Sequence, residues 1–380
     1  MDPARWTISE ACSKTGRDVA TIWPHTPFMR CSSPGAREGV SRAVRQECQP
    51  PRHDDAKKRK GTSGLREICW ALLVAAGLSV LVGWPAGVAS AQAGRRIALT
   101  FDDLPGVLQR PSLAALDEVN TRLLATLRIE RVPAVGFVNE GQLDVAGERE
   151  GRIGLLKMWV GPTFTLGNHT YAHRGINDTP LAEYQADVLK GEAVTRRLLS
   201  EAGHRLVWFR HPYTHTGPTP EIRAALDGFL NAQGYTVAPF TVENADYAFA
   251  AVYERALLAG DQERADATMA AYLAHQDAMM AFAEALAFDT FGREIPQVLL
   301  AHVNRLNADA MPELLRRLRA RGYQCVTLDS AVDDEAYRTP DRFVGRFGPS
   351  YLHRWRVALG KPSRVEQEPD PPAWVLAPDP

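Results

Sequence analysis

From Arg95 onward, short apolar segments alternate with longer amphipathic ones along the chain. Short apolar runs bounded by polar residues predict buried strands, whereas apolar positions that recur every three or four residues predict helices. The predicted strands are Ile97–Phe101, Ala134–Val138, Thr163–Leu166, Leu206–Phe209, Thr236–Phe240, Val298–Ala301 and Gln324–Thr327. The predicted helices are Ser112–Leu127, Leu181–Ala202, Pro220–Gln233 and Ala308–Arg321, the last closed by Gly322. This alternation predicts an α/β fold with a parallel sheet or a (β/α) barrel.

Two later segments depart from the alternation. The Ala-rich stretch Tyr253–Phe288 is too long for an ordinary connection, so we expect a helical insertion before the last motif-bearing strand. The Pro-rich tail 362–380 is expected to be flexible. The folded domain is therefore predicted to cover residues 92–361, including the insertion 253–288.

An apolar run upstream of the barrel has the pattern of an export signal. Ile68–Val82 follows the basic residues Lys57–Lys60 and ends near a small-residue site at Ala89–Ala91. We predict a signal peptide over 61–91 with cleavage before Gln92, and an exported protein, periplasmic or extracellular. A retained membrane anchor is the alternative, although the run is shorter than the ~20 residues that a spanning helix needs.

Residues 1–60 are polar and precede the expected signal, which normally begins close to the initiator. We predict that Met1 is a misassigned start and that translation begins between Gly61 and Leu65. A disordered cytoplasmic leader on an anchored protein is the alternative.

Charge and cysteine content limit the classes of binding partner but do not identify one. The 380-residue chain has 44 basic and 45 acidic side chains, so no net field favours nucleic acid or anionic lipid. Any membrane contact is expected only through an uncleaved signal anchor, and the sequence leaves the oligomeric state open. Of the five cysteines only Cys325 follows the cleavage site, so we expect no disulfide and a buried structural thiol.

Paired carboxylates end the first predicted strand. Asp102 and Asp103 follow the uncharged segment Ile97–Phe101, and strand C-termini are where barrel enzymes place catalytic groups. Adjacent carboxylates repel one another, so the pair calls for a cation or for two different roles. An Asp pair in a simple turn before Leu-Pro-Gly is the ordinary structural alternative.

Histidines follow the third predicted strand. His169 and His173 project from one face if the segment takes a helical turn, so both imidazoles can reach one cation. With one carboxylate they form a His/His/Asp set that leaves positions open for water and substrate. By itself the spacing of the two histidines is weak evidence for a metal site, since surface or core histidines also show it. Its position two strands after Asp102 and Asp103 strengthens the prediction.

An arginine motif follows the fourth predicted strand. Arg210 can hold a carboxylate by a two-pronged hydrogen bond, and Pro212 shapes a turn so that a following backbone N–H can face a developing oxyanion. Tyr213 ends this motif. A surface arginine and a packing tyrosine are the alternatives. His211 and His215 are expected to be loop residues or residues that support the site from behind.

A further histidine, His302, ends the apolar strand Val298–Ala301. A side chain whose reference pKa lies near 6.5 is suited to protonate a leaving amine near neutral pH. A satisfied core histidine is the alternative when the residue is considered without the other motifs.

In this order, Thr100–Asp103, His169–His173, Phe209–Tyr213 and Leu299–His302 resemble the signature motifs of NodB-like polysaccharide deacetylases, carbohydrate esterase family four. The resemblance spans roughly Arg95 to Asp333. It implies a distorted (β/α) barrel and the hydrolysis of acetyl groups, N-acetyl or O-acetyl, on a polysaccharide or oligosaccharide.

The resemblance also implies a role for each matching residue. Asp102 looks like the general base, and Asp103, His169 and His173 look like the ligands of a divalent metal ion, Zn²⁺ in the first instance. Arg210 looks like the partner that orients Asp102, the backbone of Tyr213 like the oxyanion donor, and His302 like the general acid.

The chain departs from the family pattern in two places. A usual Asp-x-x-Asp-Trp motif is replaced by Glu243–Tyr247, in which Asp246 is kept and could tune His302 while Tyr247 replaces Trp. The usual Asp-Asp-Gly-Pro turn reads Asp-Asp-Leu-Pro here, which leaves the glycan unspecified. Two other classes stay open: a hydrolase of a non-glycan C–N bond, of cyclic imide or ureide type, and an inactive glycan-binding homologue.

Overall fold

The computed structural model describes residues 94–377, which contain eight β-strands. These strands are β1 (Arg95–Leu104), β2 (Ala134–Val138), β3 (Phe164–Asn168), β4 (Trp208–Phe209), β5 (Thr236–Val237), β6 (Val242–Glu243), β7 (Gln297–His302) and β8 (Tyr323–Cys325). The seven predicted strands are all present. The short strand β6 was missed because two residues give no readable periodicity.

All pairings among these strands are parallel, in the order β5-β4-β3-β2-β1-β7-β6, with β8 paired to the beginning of β1. Within the described residues the outer strands β5 and β6 are not paired with each other, so the sheet curls without closing. The predicted distorted (β/α) barrel is confirmed. Its parallel order brings the carboxyl ends of all strands to one edge, where barrel enzymes place their active sites.

Helices fill the connections and cover the outside of the sheet. Those longer than one turn are α1 (Leu113–Ile129), α2 (Arg149–Lys157), α3 (Leu181–Lys190), α4 (Ala193–Glu201), α5 (Pro220–Ala232), α6 (Asp246–Ala259), α7 (Gln262–Phe291), α8 (Arg305–Ala320), α9 (Leu328–Val332) and α10 (Tyr351–Ala358). Ser112 and Thr219 cap α1 and α5 by accepting hydrogen bonds from backbone N–H groups of the first turn.

One predicted helix, Leu181–Ala202, is two helices in the structure, and α2 was not predicted. The break falls at Gly191, where an added Cβ would lie 2.4 Å from the carbonyl carbon of Thr170. The chain must therefore pass close to the loop that follows β3, and only glycine allows that approach. This contact is long-range and leaves no trace in the local pattern.

Residues alternate along β1 between two apolar layers. Ile97, Leu99 and Phe101 join the main core beneath the helices, whereas Ala98 joins a smaller cluster that includes Val135, Phe137, Trp208 and Val298. With a period of two, Thr100 and Asp102 continue the side of Ala98 toward the carboxyl-terminal edge. The polar end of β1 therefore belongs to the interior of the curled sheet.

The helices α6 and α7 lie between β6 and β7, where the insertion was expected. Beyond residue 361 the chain forms a 3-10 turn and the one-turn helix α11 (Ala373–Leu376), whose Val375 is buried. The flexibility of the tail stays a prediction. Among the helices of residues 94–377 none is long and apolar enough to cross a membrane. The predicted leader and export signal, 1–60 and 61–91, lie outside the described residues.

Candidate active site

The two aspartates lie at an irregularity of β1. Pairing with β2 shifts register between Phe101 and Leu104, and Asp103 has φ 64°. Adjacent strand residues normally point to opposite faces, but a bulge with a left-handed residue re-aims one side chain. Asp102 and Asp103, each 3% exposed, therefore both lie within 4 Å of His169, which follows β3. Asp is one of the residues that tolerate this backbone region.

The histidine pair is brought together by a loop rather than by the helical turn that the spacing suggested. Thr170 and His173 have φ 68° and 53°, and the Thr170 hydroxyl accepts a hydrogen bond from the His173 N–H at 3.1 Å. Asn168 holds the same loop by accepting from the Thr170 N–H at 2.7 Å. The two imidazole centroids are 5.0 Å apart, so the rings still converge.

Asp103, His169 and His173 form a cluster whose ligand atoms all lie within 4.8 Å of one another. Asp103 Oδ1 is 3.5 Å from His169 Nε2 and 3.3 Å from His173 Nε2. Nδ1 of His169 lies 2.8 Å from the carbonyl oxygen of Arg210, which makes Nδ1 the protonated nitrogen of the neutral ring. Its unprotonated Nε2 and Asp103 Oδ1, a buried oxygen without a hydrogen-bond partner, are then two acceptors that face each other. Facing acceptors of this kind fit a divalent cation.

The protonation states suit the same role. Burial alone would raise the pKa of Asp103, but the interactions with His173 and His169 outweigh it and lower the pKa below its usual value. Burial lowers the pKa of His173 to about 4. Near neutral pH the aspartate is ionised and His173 is neutral, as metal ligands must be.

Arg210 approaches Asp102 by one contact, not by the two-pronged hydrogen bond that we expected. Its Nη1 is 3.5 Å from Asp102 Oδ1, while Nη2 donates to Thr100 Oγ1 at 3.1 Å and to the Pro239 carbonyl oxygen at 3.3 Å. The guanidinium also lies over the ring of Phe137, 4.7 Å from its centroid. One nitrogen is thus already engaged by the strand hydroxyl. Burial lowers the pKa of Arg210, and the charge of Asp102 opposes that shift.

His302 stands beside the aspartates on the neighbouring strand. It pairs in register with Asp102, and its Nδ1 lies 2.7 Å from Oδ1 of the fully buried Asp246. Burial would lower the pKa of His302, but the charge and hydrogen bond of Asp246 dominate and raise it to about 10. Nε2 of this imidazolium is the nitrogen left to face the aspartates.

Tyr213 forms the rim of the site. Its ring packs edge-on against His173 with centroids 4.6 Å apart, its backbone has φ 56°, and its side chain remains about half exposed. Of the two histidines beside it, His211 is buried and lies 3.3 Å from the Tyr184 hydroxyl, and His215 packs near the Tyr213 ring. Tyr247, which stands where Trp was expected, faces His302 edge-on at 6.1 Å.

Three functional neighbours were missed in the sequence. Thr100 engages Arg210, and Asn304 and Asn307 each donate a side-chain hydrogen bond to Asp246 Oδ2. Thr100 is the one polar residue inside the apolar strand and shares a face with Asp102, which is a signal that could have found it. The asparagines follow His302 closely in a polar stretch, but their target lies on another segment.

An open (β/α) barrel with carboxylates and imidazoles at the carboxyl ends of its strands has its polar cluster where barrel enzymes place their active sites. Residues 89–228 match the family model described as polysaccharide deacetylase. This match agrees with the resemblance to NodB-like polysaccharide deacetylases that the four motifs indicated. The matched range contains both aspartates, the histidine pair and the arginine motif, whereas Asp246 and His302 lie beyond its end. No curated protein sequence matches the chain significantly.

Several solved structures share features of the fold. The peptidoglycan deacetylase PdaC from Bacillus subtilis is 20% identical over 65% of this chain and 94% of its own, with a TM-score of 0.40. A Streptococcus mutans CE4 esterase is 18% identical over 61% and 85%, with a TM-score of 0.43. BA3943, a CE4 family pseudoenzyme from Bacillus anthracis, is 15% identical over 64% and 66%, with a TM-score of 0.41. At these values the likeness carries no inference about this chain's activity.

Proposed function

We propose that the chain hydrolyses N-acetyl groups on an exported polysaccharide or cell-wall glycan, using a divalent cation held by Asp103, His169 and His173. The convergence of these three side chains beside Asp102 and His302 carries the proposal. An ester-linked acetyl group is a less demanding substrate for the same site, because an alkoxide leaves more readily than an unprotonated amide nitrogen.

The cation, when bound, supplies Lewis acidity toward the acyl oxygen and toward the attacking water. Zn²⁺ is the first candidate because two imidazole nitrogens and one carboxylate match its preferences and leave positions open. The chain supplies the three donors, the neutral state of His173 and the hydrogen bond that fixes the tautomer of His169.

Asp102 is the proposed general base. Its buried Oδ1 has no hydrogen-bond partner, so a proton acceptor is available at the centre of the site. Arg210, whose Nη1 lies 3.5 Å away, places a positive charge beside this carboxylate and limits its movement. Thr100 and Phe137 in turn hold the guanidinium in place.

His302 is the proposed general acid. Water adds to the acyl carbon and loses its proton to Asp102; the C–N bond then breaks as the nitrogen receives a proton from His302, giving acetate and a free amine. Asp246 keeps the imidazole protonated and aimed by its Nδ1 contact. The turn at Tyr213 borders the same space, and its backbone N–H is the proposed donor to the oxyanion.

The proposal includes export of the protein, which rests on the predicted signal peptide over residues 61–91. A glycan substrate outside the cytoplasm requires an exported enzyme, and cyclic imides or ureides are usually cytoplasmic. An inactive glycan-binding homologue has no need of the orphaned oxygens on Asp102 and Asp103, which cost free energy in a buried site without a cation.

The test is acetate release by the chain 92–380 from chito-oligosaccharides, peptidoglycan and acetylated xylan in parallel. We expect release from at least one N-acetylated substrate, loss of release after chelation and recovery on adding Zn²⁺. Asp102→Asn should abolish release without lowering the metal content.

A protein that binds no divalent ion, or an Asp102→Asn variant that releases acetate at the wild-type rate, would refute the mechanism. Release of ammonia from a cyclic imide without acetate release from any glycan would favour the C–N hydrolase alternative. N-terminal sequencing of the exported protein tests the predicted processing before Gln92.

A further inference from the structure

A C-terminal segment outside the family-matched range 89–228 packs directly on the turn that carries Tyr213. We call residues 341–354 the strap. The Thr214 hydroxyl donates to the Gly348 carbonyl oxygen at 2.7 Å, and Asn177, on the neighbouring loop, donates to the Arg346 carbonyl oxygen at 2.8 Å. The strap therefore spans two loops at the active-site edge of the barrel.

The turn under the strap has an unfavourable backbone. Tyr213 and Thr214 are consecutive non-glycine residues with φ 56° each, and Thr214 is β-branched. Left-handed conformations are costly for such residues, and they persist only where the surroundings impose them. Within the turn, the Thr214 N–H donates to the His211 carbonyl oxygen and the His215 N–H to the Pro212 carbonyl oxygen, and the Thr214 hydroxyl lies 2.6 Å from the Tyr213 carbonyl oxygen.

Arg354 contacts the Tyr213–Thr214 turn directly. This side chain is 1% exposed, and its Nη2 donates to the Thr214 carbonyl oxygen at 2.9 Å while Nε donates to the Pro349 carbonyl oxygen at 2.7 Å. The same guanidinium thus joins the turn to the strap with a fixed angle between its donors. A lysine has the charge but not this fork.

Arg354 is itself held from behind. Its Nη1 lies 3.2 Å from Asp341 Oδ2, and Asp341 also pairs with Arg223 of α5 at 2.9 Å. The rings of Tyr351 and Phe343 lie 4.7 and 5.2 Å from its guanidinium carbon. Arg354 is thus fixed by side chains of the strap and, through Asp341, by Arg223 of α5. Because its position is fixed, it can resist movement of the turn.

Gly348 closes the contact from the other side. A Cβ on this residue would lie 2.4 Å from the Thr214 carbonyl oxygen and 2.6 Å from its carbonyl carbon. No positive φ requires glycine here, so the restriction is one of space. The strap backbone is in van der Waals contact with the very peptide group that Arg354 binds.

We infer that the strap, through Arg354 and Gly348, holds the Tyr213–Thr214 turn in its left-handed conformation, and that Arg354 is a positioning residue for the oxyanion donor. The catalytic consequence rests on the proposed function. The inference that the strap fixes the conformation of the turn does not depend on that function.

The experiment compares Arg354→Lys and Gly348→Ala with two matched controls. Arg356→Lys changes a second buried arginine of α10, which contacts α7 and the Pro362 carbonyl oxygen instead of the turn. Gly161→Ala adds a methyl group where nothing lies within 4 Å. Deuterium exchange of residues 209–217 by mass spectrometry and steady-state kinetics on a chito-oligosaccharide are measured for all four, with circular dichroism to verify folding.

We expect faster exchange over residues 209–217 in Arg354→Lys and Gly348→Ala only. In those two variants kcat should fall about 10- to 100-fold, because a small displacement of an oxyanion donor has an effect of that size. KM and the bound zinc content should stay within about twofold, since the turn contributes no metal ligand.

Unchanged exchange in both strap variants overturns the inference whatever their activity, and so does an equal loss of kcat in Arg356→Lys. If the wild-type protein releases no acetate, the proposed function fails and the exchange data alone decide whether the strap holds the turn. If Arg354→Lys does not fold, Gly348→Ala supplies both measurements.

Discussion

The proposed metal-ligand cluster (Asp103, His169 and His173) and the proposed acid pair (Asp246 and His302) lie beside the same strand, β1. They differ in how far the protein supplies hydrogen-bond partners for their polar atoms. On one side of β1, Asp103 Oδ1 lies 3.5 Å from His169 Nε2 and has no hydrogen-bond partner. On the other side, Asp246 Oδ2 accepts hydrogen bonds from the His302 backbone and from the side chains of Asn304 and Asn307. The first arrangement leaves a buried acceptor unpaired, whereas the second pairs its acceptors within the protein.

This difference indicates two kinds of preorganisation. The acid pair is fixed by folding, so its geometry and charge exist before anything binds. The proposed ligand cluster contains two residues in the left-handed region, Asp103 and His173, whose backbone cost a bound cation would offset. Metal binding should therefore affect the stability of one side and leave the other unchanged.

The largest effect is expected from Asp103→Asn. An amide oxygen is a weaker ligand and carries no charge, so bound zinc should be lost and kcat should fall by at least about 10³-fold. The wild-type protein should gain thermal stability on adding Zn²⁺, since the ion binds only the folded state, whereas the variant should not. Metal analysis and melting curves check this, with Asp333→Asn at an exposed position as control. A variant that keeps its zinc would remove Asp103 from the ligand set.

The second-largest effect on activity is expected from His302→Ala. Loss of a general acid typically lowers rates about 10²- to 10⁴-fold, and here the bound zinc should remain at the wild-type level. Kinetics on an N-acetylated substrate and metal analysis on the same sample separate this variant from Asp103→Asn. His204→Gln, at an exposed histidine, is the control. Loss of zinc in His302→Ala would contradict the separation of the two sides.

The pH dependence gives a third test. Asp246 raises the pKa of His302 to about 10, so the wild-type rate should hold through neutral pH and decline on the alkaline side as the acid deprotonates. Asp246→Asn removes the charge and should move that decline toward the unperturbed value of 6.5. An alkaline limb that stays in place in the variant would exclude His302 as the titrating acid.

The stability of the folded protein should depend on pH for the same reason. The folded-state pKa is raised, so the Asp246–His302 pair stabilises the fold fully below pH 6.5 and this contribution is lost as pH rises through about 10. The free energy of unfolding of the wild type should therefore decrease over that window relative to Asp246→Asn. Urea titrations at several pH values measure it.

Much of the fold and of the residue set was predictable from the sequence because both depend on local pattern. Buried parallel strands are apolar runs, and the polar residues that follow them meet at one edge of the sheet. This reasoning placed Asp102, His169, Arg210 and His302 at the same end of the barrel, where the structure has them. The roles of these residues stay proposals.

The geometry within the site was not predictable in the same way. The bulge at Asp103 and the left-handed Thr170 and His173 depend on contacts with loops distant in sequence, and no periodicity encodes them. The single contact between Arg210 and Asp102 reflects competition from Thr100. Likewise the strap reaches the Tyr213 turn only through the tertiary fold.

The smallest effect is expected from Asn307→Ala, on the satisfied side of the comparison. It removes one donor from Asp246 Oδ2 and one from the His302 carbonyl oxygen, both part of a buried network that reaches Tyr272 of α7. Two donors to Asp246 Oδ2 remain, so we expect kcat to fall less than about tenfold while the free energy of unfolding falls by about 1–3 kcal/mol. Urea midpoints and kinetics measure both, with Asn231→Ala at an exposed helical position as control. A loss of activity as large as that of His302→Ala would mean that the acid pair depends on each of its donors, and that its preorganisation is no more robust than that of the ligand cluster.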